Sequence, residues 1–336
     1  MEKINVGIIG LGGIAQVVHL PLISKMTNIN LHSVAELDKR RLSAIAENYN
    51  IKNTFTDYTH MLKDKDLNAL IITTPTNTHC QIALDALNAG KNILVEKPVA
   101  RNYEEAKNIK EAAIKNEKIA MVGMNARFRP DSMLLKSLLK SGELGEIFYI
   151  KATWMRKQSS DQKWFLRRSD AGGGVVLDLG ISLLDLALWL YDFTPVKGIS
   201  VQNFYHTTSS VEDSSIGLIK FKDNKIFSYD VSWSIHSERS SFALAVYGTK
   251  GTAYLNPFKV FRKIGGSNLD ISPANAASTK NLFKKSYENE LKHFFGAIED
   301  PENLISSIDD SLDRMKLIEG IYKSANLEQE IVFNGS

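Results

Sequence analysis

A single cysteine, Cys80, in 336 residues leaves no partner for an internal disulfide and excludes a cysteine-based zinc centre. Charge of one sign is just as scarce: 41 lysines and arginines stand against 38 aspartates and glutamates, a net +3. No basic run stands out, so neither a nucleic acid nor a membrane surface is an expected partner. No uninterrupted apolar stretch approaches the length of a membrane span. The histidines lack H-E-x-x-H spacing, and no metal site is expected. The start MEKINVGIIG passes directly into a strand pattern, which leaves no room for a signal peptide and makes the cytoplasm the expected home. No internal repeat or low-complexity segment is evident. What is present is ordinary globular composition, 43% hydrophobic and 24% charged, over a length that allows two domains with sizeable cores.

Ile4, Val6, Ile8 and Ile9 predict a strand, followed at once by Gly10-Leu-Gly12-Gly13-Ile14-Ala15. In this G-x-G-x-x-G/A turn, Gly10 allows the tight turn and Gly12 lets the backbone approach a pyrophosphate. Ala15 lets the next helix pack closely, with its N-terminus toward the phosphates. A lone match of this kind is weak, but the glycines lie between a strand and a helix, as the mechanism requires. Leu31–Ala35 reads as a second strand, and Glu36 at its end is placed to accept from a ribose 2′-hydroxyl. The plain alternative for Glu36 is a solvated acid after a strand; its position favours the functional role. Glu36 should repel a 2′-phosphate, which makes NAD the expected cofactor. Arg40 and Arg41 soften that preference and leave NADP as the alternative.

Ile93, Leu94 and Val95 form a short run of the sort that a parallel sheet covers on both faces. Lys97 follows at the carboxyl end, where open α/β sheets place their ligand crevice, and Pro98 restricts its backbone. In isolation Lys97 would be a surface lysine; the glycine turn upstream changes that. Leu70–Thr74 and Ile119–Gly123 supply further strands, with helices over His79–Ala89 (stopped by Gly90) and after Asn102, which caps with Glu105. Strand–helix alternation predicts an α/β fold that opens with a doubly wound parallel sheet over residues 1–123.

After Gly123 the pattern changes. Ile147–Met155 reads as a long strand. Phe227, Tyr229, Val231, Trp233 and Ile235 alternate with Ser228, Asp230, Ser232 and Ser234, a period of two that marks a strand with unlike faces. Asp223-Asn224 is placed as a hairpin turn after Ile216–Phe221. Phe242, Leu244 and Val246 continue the alternation. Two helical stripes close the chain: Tyr287, Leu291, Phe294, Phe295 and Ile298, then Ile308, Leu312, Met315, Ile318 and Tyr322. Residues 124–336 therefore read as an α+β domain on a large open antiparallel sheet, with Gly265–Lys280 as a loop.

Taken together, the residues resemble the glucose–fructose oxidoreductase/inositol dehydrogenase (Gfo/Idh/MocA) family over nearly the whole chain. The matching runs are Gly10–Ala15, Thr74-Pro-Thr-Asn77 with His79, Ala89-Gly-Lys-Asn-Ile-Leu-Val-Glu-Lys-Pro98, Val122-Gly-Met-Asn-Ala-Arg-Phe128 with Pro130, Gly172-Gly-Gly174, Asp178-Leu-Gly180 and Asp185. Glu-Lys-Pro at that distance from the glycines is more specific than the glycines alone. The start Gly10-Leu-Gly-Gly-Ile-Ala-Gln-x-x-x-Leu20-Pro21 is similar to the oxidoreductase subgroup labelled MviM.

The resemblance implies an N-terminal Rossmann domain and a C-terminal substrate-binding and oligomerisation domain. It implies an NAD(P)-dependent enzyme acting on a hydroxyl of a sugar, polyol or nucleotide-sugar. Carried over, Lys97 is the catalytic lysine, and Glu96 and Pro98 shape the nicotinamide end. Gly10, Gly12, Gly13, Ile14, Ala15, Glu36, Thr74, Pro75, Asn77 and Arg127 serve the cofactor, and Asp178 contacts the substrate or the lysine. The open sheet is expected to form a homodimer or homotetramer. One departure matters: the family runs Asp-x-Gly-x-His-x-x-Asp, and here Ser182 stands where the histidine acts as acid/base. Serine does not titrate near neutrality. Tyr149, His206 and His236 are substitutes by residue type alone. A lyase-like or glycosidase-like enzyme that retains NAD, or a non-catalytic dinucleotide sensor, are the alternatives.

Overall fold

The computed structural model describes residues 3–234, 240–273 and 281–333. The chain forms two compact units, Met1–Met124 with Tyr287–Leu312, and Asn125–Ser286 with Asp313–Ser336. The return of Tyr287–Leu312 to the first unit is a long-range event that no local pattern announces.

The first unit is built on six parallel strands: β1 (Ile4–Ile9), β2 (Ile29–Ala35), β3 (Asn53–Phe55), β4 (Ala69–Ile72), β5 (Asn92–Glu96) and β6 (Ala120–Gly123). Their order is β3-β2-β1-β4-β5-β6, so the chain reverses direction across the sheet between β1 and β4. That reversal opens the crevice where such sheets take ligands. Strands β4 and β6 and residues Ile93–Val95 of β5 are apolar and buried on both faces, as a sheet covered by helices demands. The helix Thr76–Asn88 ends at Gly90, whose φ of 75° lets its N–H and that of Lys91 reach back to Leu87 and Ala86. Asn102 caps the helix Tyr103–Lys115 by accepting from Glu105 N–H at 2.9 Å, while the Glu105 carboxylate turns back to Arg101 N–H. At the β6 edge, Val122 N–H donates to the Ser306 carbonyl at 2.9 Å, so the returning segment covers an otherwise open strand.

The second unit carries nine strands: β7 (Ile147–Met155), β8 (Val196–Phe204), β9 (Ser214–Phe221), β10 (Ile226–Ser232), β11 (Ser241–Gly248), β12 (Gly251–Leu255), β13 (Lys259–Ile264), β14 (Ser267–Asp270) and β15 (Ile331–Val332). Their order is β14-β13-β12-β11-β7-β10-β9-β8-β15. The sheet is mixed rather than wholly antiparallel, because β10 runs parallel to β7 at its centre. The β9–β10 hairpin turns on Asp223 and Asn224 with φ of 60° and 55°, the paired left-handed conformation that short hairpins favour. Ser267–Asp270 is a strand, so only part of Gly265–Lys280 is loop; residues 274–280 lie outside the described residues. Ile235 and His236 also lie outside them.

Phe227, Tyr229, Val231 and Trp233 face inward and are buried, and Val231 approaches Gly180 of the Val176–Leu190 helical stretch. The segment Arg168–Leu190 has the length and mean hydropathy of a membrane span, contrary to the expectation from uninterrupted runs, but nearly all of it is packed inside this unit. Within it, Asp185 is fully buried and takes a bidentate bond from Arg127, 2.8 Å from Nε and 2.6 Å from Nη2; Arg314 Nη1 also donates to it. One carboxylate thus holds two buried guanidinium groups. Removing one partner of a buried ion pair leaves an uncompensated charge, so Asp185→Ala should lower stability by about 3–5 kcal/mol. Urea denaturation measures this, and a loss below about 1 kcal/mol would show that the network is dispensable.

Candidate active site

In the first unit, residues just beyond the carboxyl ends of neighbouring parallel strands converge. Gly10 has φ of 87°, and a Cβ there would stand 3.0 Å from the Thr73 backbone and 2.8 Å from Thr74 Cγ2. Only glycine fits this turn, where Thr73 Oγ1 donates to the Gly10 carbonyl at 2.5 Å. Gly12 and Gly13 differ in kind: a Cβ on either meets nothing within 4 Å. They border open space into which side chains would intrude, the cradle that a diphosphate needs. Helical structure begins at Gly13, with Ile14 half-buried and Ala15 fully buried. The N–H groups of a first turn have no acceptors within their own helix, so the turn suits an anion.

Glu36 follows β2 and reaches back to this turn. Its Oε2 accepts from Leu11 N–H at 2.8 Å and from Arg41 Nη1 at 3.1 Å, and its Oε1 from Asp38 N–H at 3.1 Å. A carboxylate offers about four acceptor sites, so one would remain for a ribose hydroxyl. These residues fit NAD.

Beyond β4, Thr74 is half-buried while Pro75 and Asn77 are exposed beside the start of the Thr76–Asn88 helix. At the end of β5, Glu96 is buried and the following Lys97 is half-buried, with Glu96 Oε2 accepting Lys97 N–H at 3.2 Å. The Lys97–Pro98 bond is cis. Two buried histidines not foreseen as parts of the site bear on this stretch. His79 places Nδ1 at 2.8 Å from the Pro98 carbonyl and Nε2 at 2.8 Å from the Thr74 carbonyl, so the ring sits between the two strand ends and, when neutral, donates to one carbonyl or the other. His19 places Nε2 at 2.8 Å from Glu96 Oε1.

In the second unit, Asp178 and Ser182 lie one helical turn apart, both nearly fully buried. Ser159 Oγ donates to Asp178 (2.6 Å to Oδ1), and Trp233 Nε1 donates to Oδ2 at 3.0 Å. Glu212 holds the start of this helical stretch: Oε1 accepts from Gly174 N–H at 2.9 Å, Val176 N–H at 3.1 Å and Tyr322 Oη at 2.9 Å. Burial pushes the Glu212 carboxyl above its usual range. Gly174 is required there, because a Cβ would fall 2.0 Å from the Glu212 carbonyl oxygen. Ser159, Trp233 and Glu212 were not foreseen, since no motif spacing links them to Asp178.

Arg127 is 1% exposed, paired with Asp185 and stacked over Phe193. Tyr149 and His206, substitutes for the histidine by residue type, both stand on the outer face of the second unit's sheet. Tyr149 bonds Ser228 Oγ at 2.7 Å, and His206 borders a cavity of about 600 Å³ with Ser214, Ser228 and Asp230. These groups occupy the face of the sheet opposite Val231 and the Asp178 helix. Among the described residues, no cluster of histidine, cysteine and carboxylate side chains could hold a metal.

Residues 4–124 match the family model described as "Oxidoreductase family, NAD-binding Rossmann fold", and residues 133–254 match the GFO/IDH/MocA C-terminal domain. The chain belongs to the Gfo/Idh/MocA family of oxidoreductases, and its first unit is an NAD-binding Rossmann fold. It is 26% identical over 342 residues to D-glucoside 3-dehydrogenase of Escherichia coli (strain K12), covering 96% of each chain. It is 26% identical over 324 residues to scyllo-inositol 2-dehydrogenase (NAD(+)) of Bacillus subtilis (strain 168), covering 93% of this chain and 91% of that one. A solved structure of levoglucosan dehydrogenase in complex with NADH and L-sorbose shares the fold, with a TM-score of 0.89 at 22% identity over 99% of each chain.

Burial lowers the His79 imidazole below its ordinary value. The unfolded chain then binds the proton more readily, so the stability contributed by His79 is present above about pH 7 and declines as pH falls through about 6.5. Thermal unfolding between pH 8 and pH 5.5 should therefore steepen in the native protein relative to His79→Gln, by up to about 1.4 kcal/mol per pH unit. Parallel profiles for the two proteins would refute the assignment.

Proposed function

We propose that this chain is an NAD-dependent dehydrogenase that moves hydride between nicotinamide and a hydroxyl-bearing carbon of a sugar, polyol or nucleotide-sugar. The observation that carries the reading is the convergence of Gly12 and Gly13, Glu36, Thr74, Glu96 and Lys97 beyond neighbouring strand ends of one sheet. Relatives named for glucoside and inositol oxidation support the substrate class. In this reading the cofactor's diphosphate lies on the glycine turn, its ribose diol meets Glu36, and Thr74, Pro75 and Asn77 line its path.

Bound NAD supplies the hydride acceptor. As the alcohol C–H pair leaves as hydride, the hydroxyl proton must go elsewhere. Lys97 takes that proton if its amine is neutral, or as a cation stabilises the developing alkoxide while water takes it. The family resemblance would give Asp178 a contact to the substrate, and Ser159 and Trp233 fix its carboxylate. Ser182 contributes a small polar surface and no titrating group. The exposed apolar residues Ile216 and Leu218 on the outer face of the second unit's sheet support assembly into a homodimer or homotetramer.

Two measurements test this. Fluorescence titration should show tighter binding of NADH than NADPH, because Glu36 accepts from a diol and repels a 2′-phosphate. Tighter NADPH binding would mean that Arg41 and not Glu36 decides the cofactor. Over a panel of sugars and polyols, Lys97→Ala should retain NADH binding and lose about 10²–10⁴-fold in turnover. Near-native turnover by that variant would return Lys97 to the status of a surface residue.

A further inference from the structure

We propose that His19 is a positioning residue for Lys97 and acts through the Glu96 carboxylate. This rests on the reading of Lys97 as the catalytic lysine. His19 is 0% exposed and lies in the helical stretch that begins at the glycine turn. Its Nε2 faces Glu96 Oε1, and a carboxylate only accepts, so Nε2 carries the proton. Its Nδ1 is buried with no hydrogen-bond partner among the described residues. A bare lone pair there costs little, whereas an N–H would be a buried unpaired donor. The ring therefore has one hydrogen bond to give, and it gives it to Glu96. Tyr287 packs edge-on against it, with centroids 5.8 Å apart and planes at 87°, which restrains the ring's orientation.

Glu96 passes the restraint on. Its second oxygen accepts the Lys97 backbone N–H and lies over Gly123, where a Cβ would come within 3.3 Å of it. Both oxygens are thus occupied, one by the helix behind the glycine turn and one by the residue that carries the amine. On the other side of Lys97, the buried His79 ring sets its Nδ1 2.8 Å from the Pro98 carbonyl. Lys97 is flanked by two residues, each in contact with a buried histidine. The brace from His19 also joins the seat of the diphosphate to the lysine, because both hang on one helical stretch. Loss of the His19 bond frees the Glu96 carboxylate and loosens the Lys97 backbone without touching the glycine cradle. The effect falls on where the amine points rather than on cofactor affinity.

The test uses the full chain with His19→Leu, His19→Gln, Glu96→Gln and the double variant His19→Leu/Glu96→Gln. His19→Leu should lose about 10- to 100-fold in kcat on whichever panel compound the native protein turns over, the range expected for misplacement by about an ångström. Its NADH Kd should stay within about threefold of native, a small shift beside the loss in kcat. His19→Gln, which keeps an N–H donor for Glu96, should restore most of the rate. In the Glu96→Gln background, His19→Leu should add little, since the path is already cut. A second readout needs no substrate: acetic anhydride labelling of Lys97, scored by mass spectrometry against the exposed Lys107, should speed up in His19→Leu and return in His19→Gln. Native kcat and labelling in His19→Leu, or equal losses in the leucine and glutamine variants, would overturn the proposal. The two readings fail separately: native turnover by Lys97→Ala sinks the role of the lysine, whereas unchanged Lys97 labelling in His19→Leu sinks the brace.

Discussion

The constraint on which the site depends is that a parallel sheet buried on both faces has no room for polar groups except at its ends. Strands β4 and β6 are buried along their whole length and β5 from Ile93 onward, so backbone donors and charged side chains emerge only toward the strand ends. Gly10, Glu36, Thr74 and Lys97 each stand one or two residues past such a stop. The reversal of strand order between β1 and β4 separates their connections and opens space above the glycines. Gly10 is the tightest point of this arrangement, pressed against the Thr73 backbone. A side chain there would push the turn away from the crevice that it helps to form.

Much of this was legible because the signals are local. A short apolar run that ends in glycine, glutamate or lysine states both the strand and what lies beyond it. Gly90 and Asn102 mark helix ends by backbone conformation and side-chain capping, which need no tertiary context. The pairing of β10 beside β7 was not legible, since a period of two reports which face is buried and nothing about direction. Arg127 illustrates the same limit at the level of one residue. Its motif neighbours suggest the cofactor, yet its guanidinium finds Asp185, 58 residues on, and is sealed from solvent there. His19 is the converse case: it lies 77 residues before Glu96, so no spacing rule connects them, and only the folded chain shows the bond.

The second unit places its chemistry by another means. Asp178 sits at the start of a helical stretch whose first N–H groups would be orphaned by burial, and Glu212 satisfies two of them from a different part of the chain. The cost is a buried carboxylate, pushed upward in pKa and tied to Tyr322. Deeper in the same stretch, Asp185 accepts from both Arg127 and Arg314. Buried charge of this sort is a poor source of net stability, but losing one member is expensive. The helical stretch is thereby held at its start and again at Asp185, and Asp178 has little freedom to move.

That rigidity bears on the substitution of serine for the family's histidine. Of the second unit's two histidines, His206 lies on the far face of the sheet and His236 lies outside the described residues. Tyr149 is on that far face as well, spent on Ser228. Ser159 and the Trp233 indole, which both donate to Asp178, do not give up a proton near neutral pH. Among the described residues the second unit offers a fixed carboxylate and small hydroxyls, suited to orienting a polyhydroxylated ligand. In the proposed reaction Lys97 or water takes the hydroxyl proton. A lysine given that task has to be aimed well, and in the proposed arrangement the bond from His19 to Glu96 supplies that aim.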